Sequence, residues 1–187
     1  MDALWLHRPW HIDPATLPPG TGVIYNHLPF DEHLTMGYNP QLATQLQATG
    51  PLEPLSVKQA VDKADELLPQ RPIGMLFDAE EKTTQDWMTI MQTLFGGYDR
   101  VESGQQTIGG RVAVVGAMND ALIREAAGRG ANLYLTGQYR TSVQAAVDET
   151  GIAVVAVGHR RSEIWELRAL ADILRERWPG FYVLVGE

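Results

Sequence analysis

The sequence predicts an α/β fold of mixed, largely parallel sheets with flanking helices. Short apolar runs bounded by glycine, proline and polar clusters recur along the chain, as strands do. Between them lie stretches whose apolar residues return at helical spacing. In the last third the two kinds of segment alternate at the spacing of βαβ units, which join parallel strands.

The first apolar run, Ala3-Leu4-Trp5-Leu6, reads as a strand ending at His7. The chain enters it directly, so a fold lacking an N-terminal helix and strand is expected. Pro14, Pro18, Pro19 and Gly20 make a loop, and Val23-Ile24-Tyr25 a second strand. Asn39 caps a helix over about 40–48 with Pro40 at its first position, closed by Gly50 and Pro51. Ser56 is read as the cap of another helix, with Val57, Ala60, Val61, Ala64, Leu67 and Leu68 on one face. Ile73 to Phe77 is a strand, and Thr83 or Thr84 opens a helix that Gly96-Gly97 stops.

Beyond that point strands are expected at Arg111–Val115, Leu133–Leu135, Ile152–Val157 and Phe181–Val185. Helices fill the gaps: one entered from the turn Gly116–Asp120 and ending near Gly128 or Gly130, one from Thr141 to Glu149, and one from Ser162 to Trp178. At 187 residues the chain can bury its core as one domain, 1–187. A two-lobed alternative takes 1–55 with 105–187 around the site and 56–104 as an intervening segment.

Composition narrows the function. With 15 basic and 23 acidic residues the net charge is −8, which argues against a broad nucleic-acid or anionic-membrane footprint. No apolar run approaches the roughly 20 residues that span a bilayer. The start, Met1-Asp2-Ala3-Leu4, has no basic segment of a secretory signal, so a cytoplasmic location is expected. The absence of cysteine removes thiolate metal sites, disulfides and thiol nucleophiles.

Chemistry-bearing residues collect after strands. Asn26-His27-Leu28-Pro29-Phe30-Asp31 follows the second strand, and Gly158-His159-Arg160-Arg161-Ser162-Glu163 follows Ile152–Val157. Each holds a His and, four residues on, a carboxylate. In a parallel α/β sheet the carboxyl ends of strands line the ligand crevice, and imidazoles with carboxylates suit a divalent metal. Simpler roles stay open for each residue alone. A Glu in the first turn of a helix is favoured by the helix dipole, and Asp31 also suits a turn. His11 and His33 are read as surface residues. The turn Val115-Gly116-Ala117-Met118-Asn119-Asp120 suits either an anion at a helix N-terminus or a tight strand-to-helix connection. Thr136 and Gln138 end another strand at the expected crevice, as substrate-facing or supporting groups or as ordinary turn residues.

These residues, in this order, resemble the NIF-three-like family, also labelled GTP cyclohydrolase 1 type 2 homologues. Tyr134-Leu135-Thr136-Gly137-Gln138 is similar to its Y-L-T-G-E, and Gly158-His159-Arg160-Arg161-Ser162-Glu163 to its G-H-x-x-[ST]-E. His27-Leu28-Pro29-Phe30-Asp31, with Gly37-Tyr38-Asn39 and Leu42-Ala43, resembles H-x-P-x-D followed by G-x-N and L-A. Leu6-His7-Arg8-Pro9 resembles the H-H-P segment.

The resemblance implies a one- or two-metal site from His7, His27, Asp31, His159 and Glu163. The ions would be Zn, Mn, Fe or Co. It also implies a toroidal homohexamer and a metal-dependent hydrolase acting on a small nucleotide-like substrate, with Glu163 as ligand, general base or both. The other function open to the family is a non-catalytic metal-handling or regulatory ring. Two positions depart from the pattern. Arg8 replaces the second His of H-H-P, and a charged guanidinium does not ligate a metal; it would take the place of a cation or bind substrate phosphate. Gln138 replaces a Glu and removes a negative charge.

Overall fold

The computed structural model describes residues 2–6, 9–26, 30, 34–59, 61, 66–103 and 105–186. Its centre is a six-stranded sheet, in the order β3-β4-β8-β9-β10-β6. The strands are β3 (Glu53–Lys58), β4 (Arg71–Asp78), β6 (Arg100–Glu102), β8 (Arg111–Val115), β9 (Leu133–Thr136) and β10 (Ala153–Ala156). β8, β9 and β10 pair in parallel, while β3–β4, β4–β8 and β10–β6 are antiparallel. Thus β3, β8, β9 and β10 run one way and β4 and β6 the other. A separate parallel ribbon joins β1 (Ala3–Trp5) to β2 (Gly22–Ile24), and β5 (Lys82–Thr83) pairs with β7 (Thr107–Ile108).

Five helices are described: α1 (Pro40–Gln45), α2 (Thr84–Phe95), α3 (Asp120–Gly128), α4 (Gln144–Thr150) and α5 (His159–Arg177). The central strands are apolar on both faces because both faces are covered. Met75, Phe77, Val112, Val114, Leu133, Leu135 and Val155 pack with residues of α1, α2 and α5. Leu76, Ala113, Val115, Tyr134 and Val154 pack with α3 and α4 on the other side. Full burial of a side chain of this size contributes about 1.5–3 kcal/mol. Trp87 of α2 is wholly buried, and its indole N–H donates to Ile108 O at 2.9 Å, so burying that group leaves no orphaned donor.

Local chemistry sets most boundaries as expected. The Asn39, Thr83 and Asn119 side chains accept from Leu42 N, Asp86 N and Leu122 N at the starts of α1, α2 and α3. Gly96 ends α2 at φ 75°, a left-handed conformation that glycine adopts without a Cβ penalty.

Three expectations are corrected. The helix read from Ser56 to Leu68 is absent from the described part of that stretch. Residues 53–58 form β3, paired with β4, and Val61 bridges Leu67. The described apolar residues of that expected face lie in solvent, with Val57 49% and Leu67 71% exposed. Leu55, outside that pattern, is the fully buried one, and ladder pairing with β4 overrides helical spacing. Second, Phe181–Val185 joins no sheet among the described residues. Third, the last helix begins at His159, because Gly158 supplies the turn and Ser162 N already donates to Gly158 O at 3.0 Å.

Candidate functional site at the strand ends

The carboxyl ends of β8, β9 and β10 open at one edge of the sheet, and each is followed by a glycine: Gly116, Gly137 and Gly158. The β9–β10 ladder continues past the strands, with Val157 N donating to Thr136 O (2.9 Å) and Gly158 N to Gly137 O (2.8 Å). The two motif loops therefore leave the sheet side by side.

Gly158 adopts φ 101°, and a Cβ there would lie 2.6 Å from Asp99 Oδ2 and 2.8 Å from Arg161 Nη1. Only glycine fits this turn. It releases the chain directly into α5, with His159 at the first helical position and Glu163 one turn later. Residues four apart share a helix face, and His159 Nε2 lies 3.2 Å from Glu163 Oε1. The imidazole is mostly exposed and the carboxylate about a third exposed. Ser162 does not cap the helix; its hydroxyl donates to His159 O at 2.8 Å and steadies the first turn.

Residues that sequence reasoning passed over hold this corner. Arg161 pairs with Asp99 and donates to Val157 O at 3.2 Å, while Asp99 N donates to Ala156 O at 2.8 Å. The brace ties the end of β10 to the turn before β6; Asp99 lies in the segment read as intervening, and no motif marks it. Trp165 Nε1 donates to Gln45 Oε1 at 3.2 Å and fixes α5 to α1.

The segment leading into α1 lies over the same edge. Met36 is 2% exposed; its carbonyl oxygen is 3.8 Å from a Cβ built on Gly116, and its Sδ 4.0 Å from one built on Gly137. Asn39 pins this segment by donating to Thr35 O (3.1 Å) while capping α1.

Thr136 is fully buried at the end of β9, and its Oγ1 has no hydrogen-bond partner. Gln138 is exposed just beyond it. The Gly116–Asp120 turn is occupied by its own chemistry: Asn119 caps α3, and the Tyr134 hydroxyl donates to Ala117 O at 2.7 Å. Burial pushes the Tyr134 phenol well above its ordinary range, so it stays a donor. His11 is exposed.

Of the five residues expected to hold metal, His159 and Glu163 are brought together. His7, His27 and Asp31 lie outside the described residues, as do Arg8 and His33. Among the described residues no group of three His, Asp or Glu side chains converges on one point. The described pair supplies one nitrogen and one carboxylate oxygen on a single rigid helix, a donor chemistry that fits a divalent transition metal needing further ligands.

Residues 19–185 match the family Duf34/NIF3 (NGG1p interacting factor 3), and the chain belongs to that family. A GTP cyclohydrolase 1 type 2 homolog from Pseudomonas aeruginosa is 30% identical over 154 residues, covering 81% of this chain and 56% of the relative. One from Pyrococcus abyssi is 29% identical over 155 residues, covering 81% and 57%. The chain thus spans little more than half the length of these relatives. Among solved structures, TTHA1606 from Thermus thermophilus superposes with a TM-score of 0.69 at 22% identity, covering 100% of this chain and 74% of that one. Reduced HcgD from Methanocaldococcus jannaschii gives 0.65 at 18% identity, covering 94% and 71%. At these identities the two structures establish the fold.

Proposed function

We propose that this protein is a metal-dependent hydrolase acting on a small nucleotide-like substrate, as the name of its GTP cyclohydrolase 1 type 2 relatives suggests. The observation that carries the reading is the 3.2 Å approach of His159 Nε2 to Glu163 Oε1 at the carboxyl end of β10. His7, His27 and Asp31 complete the ligand set in this proposal, around one or two ions of Zn, Mn, Fe or Co. A divalent ion there supplies Lewis acidity and a hydroxide nucleophile from water near neutral pH.

The chain's own groups do the rest. His159 offers a ring nitrogen from a fixed helical position. Glu163 accepts the proton of the attacking water at a carboxylate oxygen. Arg8 binds a substrate phosphate in the place where the family pattern has a second His. The packed segment at Met36 closes one side of the crevice against water. The protein would act in the cytoplasm as a homohexameric ring. No described helix is long and apolar enough to cross a membrane.

A second reading is a non-catalytic metal-binding or regulatory ring. The replacement of the family's His and Glu by Arg8 and Gln138 favours it. Turnover of GTP, or of a simple phosphoester, separates the two. Metal-dependent turnover lost in His159→Ala supports the hydrolase. Tight metal binding without turnover of either substrate supports the module.

A further inference from the structure

A second group of side chains stands at the strand-end edge, apart from the His159–Glu163 pair. Arg100 of β6 is opposite Ala156 of β10, which is opposite Thr136 of β9. The three lie in one row across the carboxyl ends of the parallel strands. Tyr139 comes three residues after Thr136, in the loop that leaves β9 beside Gly158.

The Arg100 guanidinium carbon lies 4.0 Å over the centre of the Tyr139 ring. Two of its edges are tied. Nε donates to Glu102 Oε1 at 2.7 Å and Nη2 to Gln144 Oε1 at 3.3 Å. The Tyr139 hydroxyl donates to the same Gln144 oxygen at 2.6 Å, and Gln144 Nε2 donates to Asp148 Oδ1 at 2.9 Å. Neither the ring nor the guanidinium turns without breaking a hydrogen bond. The Arg100 side chain is nonetheless 39% exposed, and its Nη1 makes no hydrogen bond or ion pair among the described residues. One face rests on Tyr139, which leaves the other face and the Nη1 corner to meet a ligand.

Proteins stack nucleobases on aromatic rings and on guanidinium planes, and a cation is attracted to the π-face of a flat ring. Paired strands lie about 5 Å apart, and the three residues from Ala156 to His159 span at most about 11 Å, so the Arg100 and His159 backbones are within roughly 16 Å. A nucleotide bridges that distance. We propose that the Arg100–Tyr139 pair is a base-stacking platform: the nucleobase of a nucleotide substrate lies on it while the phosphates reach the His159–Glu163 pair. The inference rests on the nucleotide-like substrate of the proposed function and adds the residues that select it.

The test is calorimetric titration of the full chain in the presence of Mn, with GTP and inorganic triphosphate as the two probes. The wild type is expected to bind GTP about tenfold more tightly than triphosphate, the worth of one base stack. Arg100→Lys keeps the charge but loses the plane. It is expected to lose that preference while its affinity for triphosphate, which also reports a folded chain, is unchanged. Tyr139→Leu loses the preference as well, and Tyr139→Phe retains it. A wild type that binds GTP no better than triphosphate overturns the proposal, as does an Arg100→Lys variant in which both affinities fall alike or neither changes. The hydrolase reading fails separately. Metal-dependent turnover without a base preference keeps the hydrolase and removes the platform; a base preference lost in Arg100→Lys, without turnover, does the reverse.

Discussion

His159 Nε2 and Glu163 Oε1 lie 3.2 Å apart on the first two turns of α5. Both donors come from one helix, so their spacing is set by backbone geometry rather than by a loop. The helix is in turn fixed to its surroundings by the Arg161–Asp99 pair and the Trp165–Gln45 hydrogen bond. His159→Ala removes an exposed group from a well-held frame. Its stability should change by no more than about 0.5 kcal/mol, while the metal-dependent GTP turnover proposed for this chain should disappear. Thermal melting and a turnover assay on one preparation check both halves.

Gly158→Ala acts through the frame. At φ 101° an alanine costs about 1–3 kcal/mol of backbone strain, and its Cβ would press on Asp99 and Arg161. The expected result is a lowered melting temperature together with weakened metal binding. A variant that melts and binds like the wild type would show that the turn is not what positions His159.

Thr136→Val separates folding from function. The hydroxyl is buried without a hydrogen-bond partner, and leaving such a group unsatisfied costs about 1–3 kcal/mol. The near-isosteric valine should therefore be neutral or stabilising in denaturant unfolding. If Thr136 serves the site, turnover falls while stability holds. Equal turnover would confine Thr136 to packing.

At the far edge of the sheet, Glu53 accepts from Arg111 at 2.7 Å and from Arg129 at 2.8 Å, joining β3 to β8 and to the end of α3. Hydrogen bonds from Arg111 and then Arg129 hold the Glu53 carboxyl below the usual carboxylate range. A carboxyl depressed on folding stabilises at pH above its unfolded value, and that contribution is lost as pH falls through the folded one. The wild-type melting temperature should thus drop more steeply in that acid window than that of Glu53→Gln. Parallel curves would contradict the assignment.

The βαβ part of the fold was legible because its signals agree. Arg111–Val115 matches β8 residue for residue, and the Asn39 cap and the Gly96 stop carry local chemistry. The stretch after Ser56 misled because its valines and leucines fall at helical spacing, whereas β3 is set by distant pairing with β4. The tail misled differently: 181–185 has a strand's composition, but a strand exists only with a partner. At the site, the His159–Glu163 pair followed from spacing four residues apart. The Asp99–Arg161 brace and the packing of Met36 near Gly116 and Gly137 did not, since they arise from contacts between segments remote in sequence.

The most direct measurement is metal content per chain by inductively coupled plasma mass spectrometry, on protein purified without chelator or a metal-affinity tag. It compares the wild type with folded His159→Ala and Glu163→Gln. The account predicts about one or two ions per wild-type chain and a marked loss in both variants. No ion in the wild type after incubation with Zn, Mn and Fe, or full occupancy in both variants, would contradict it.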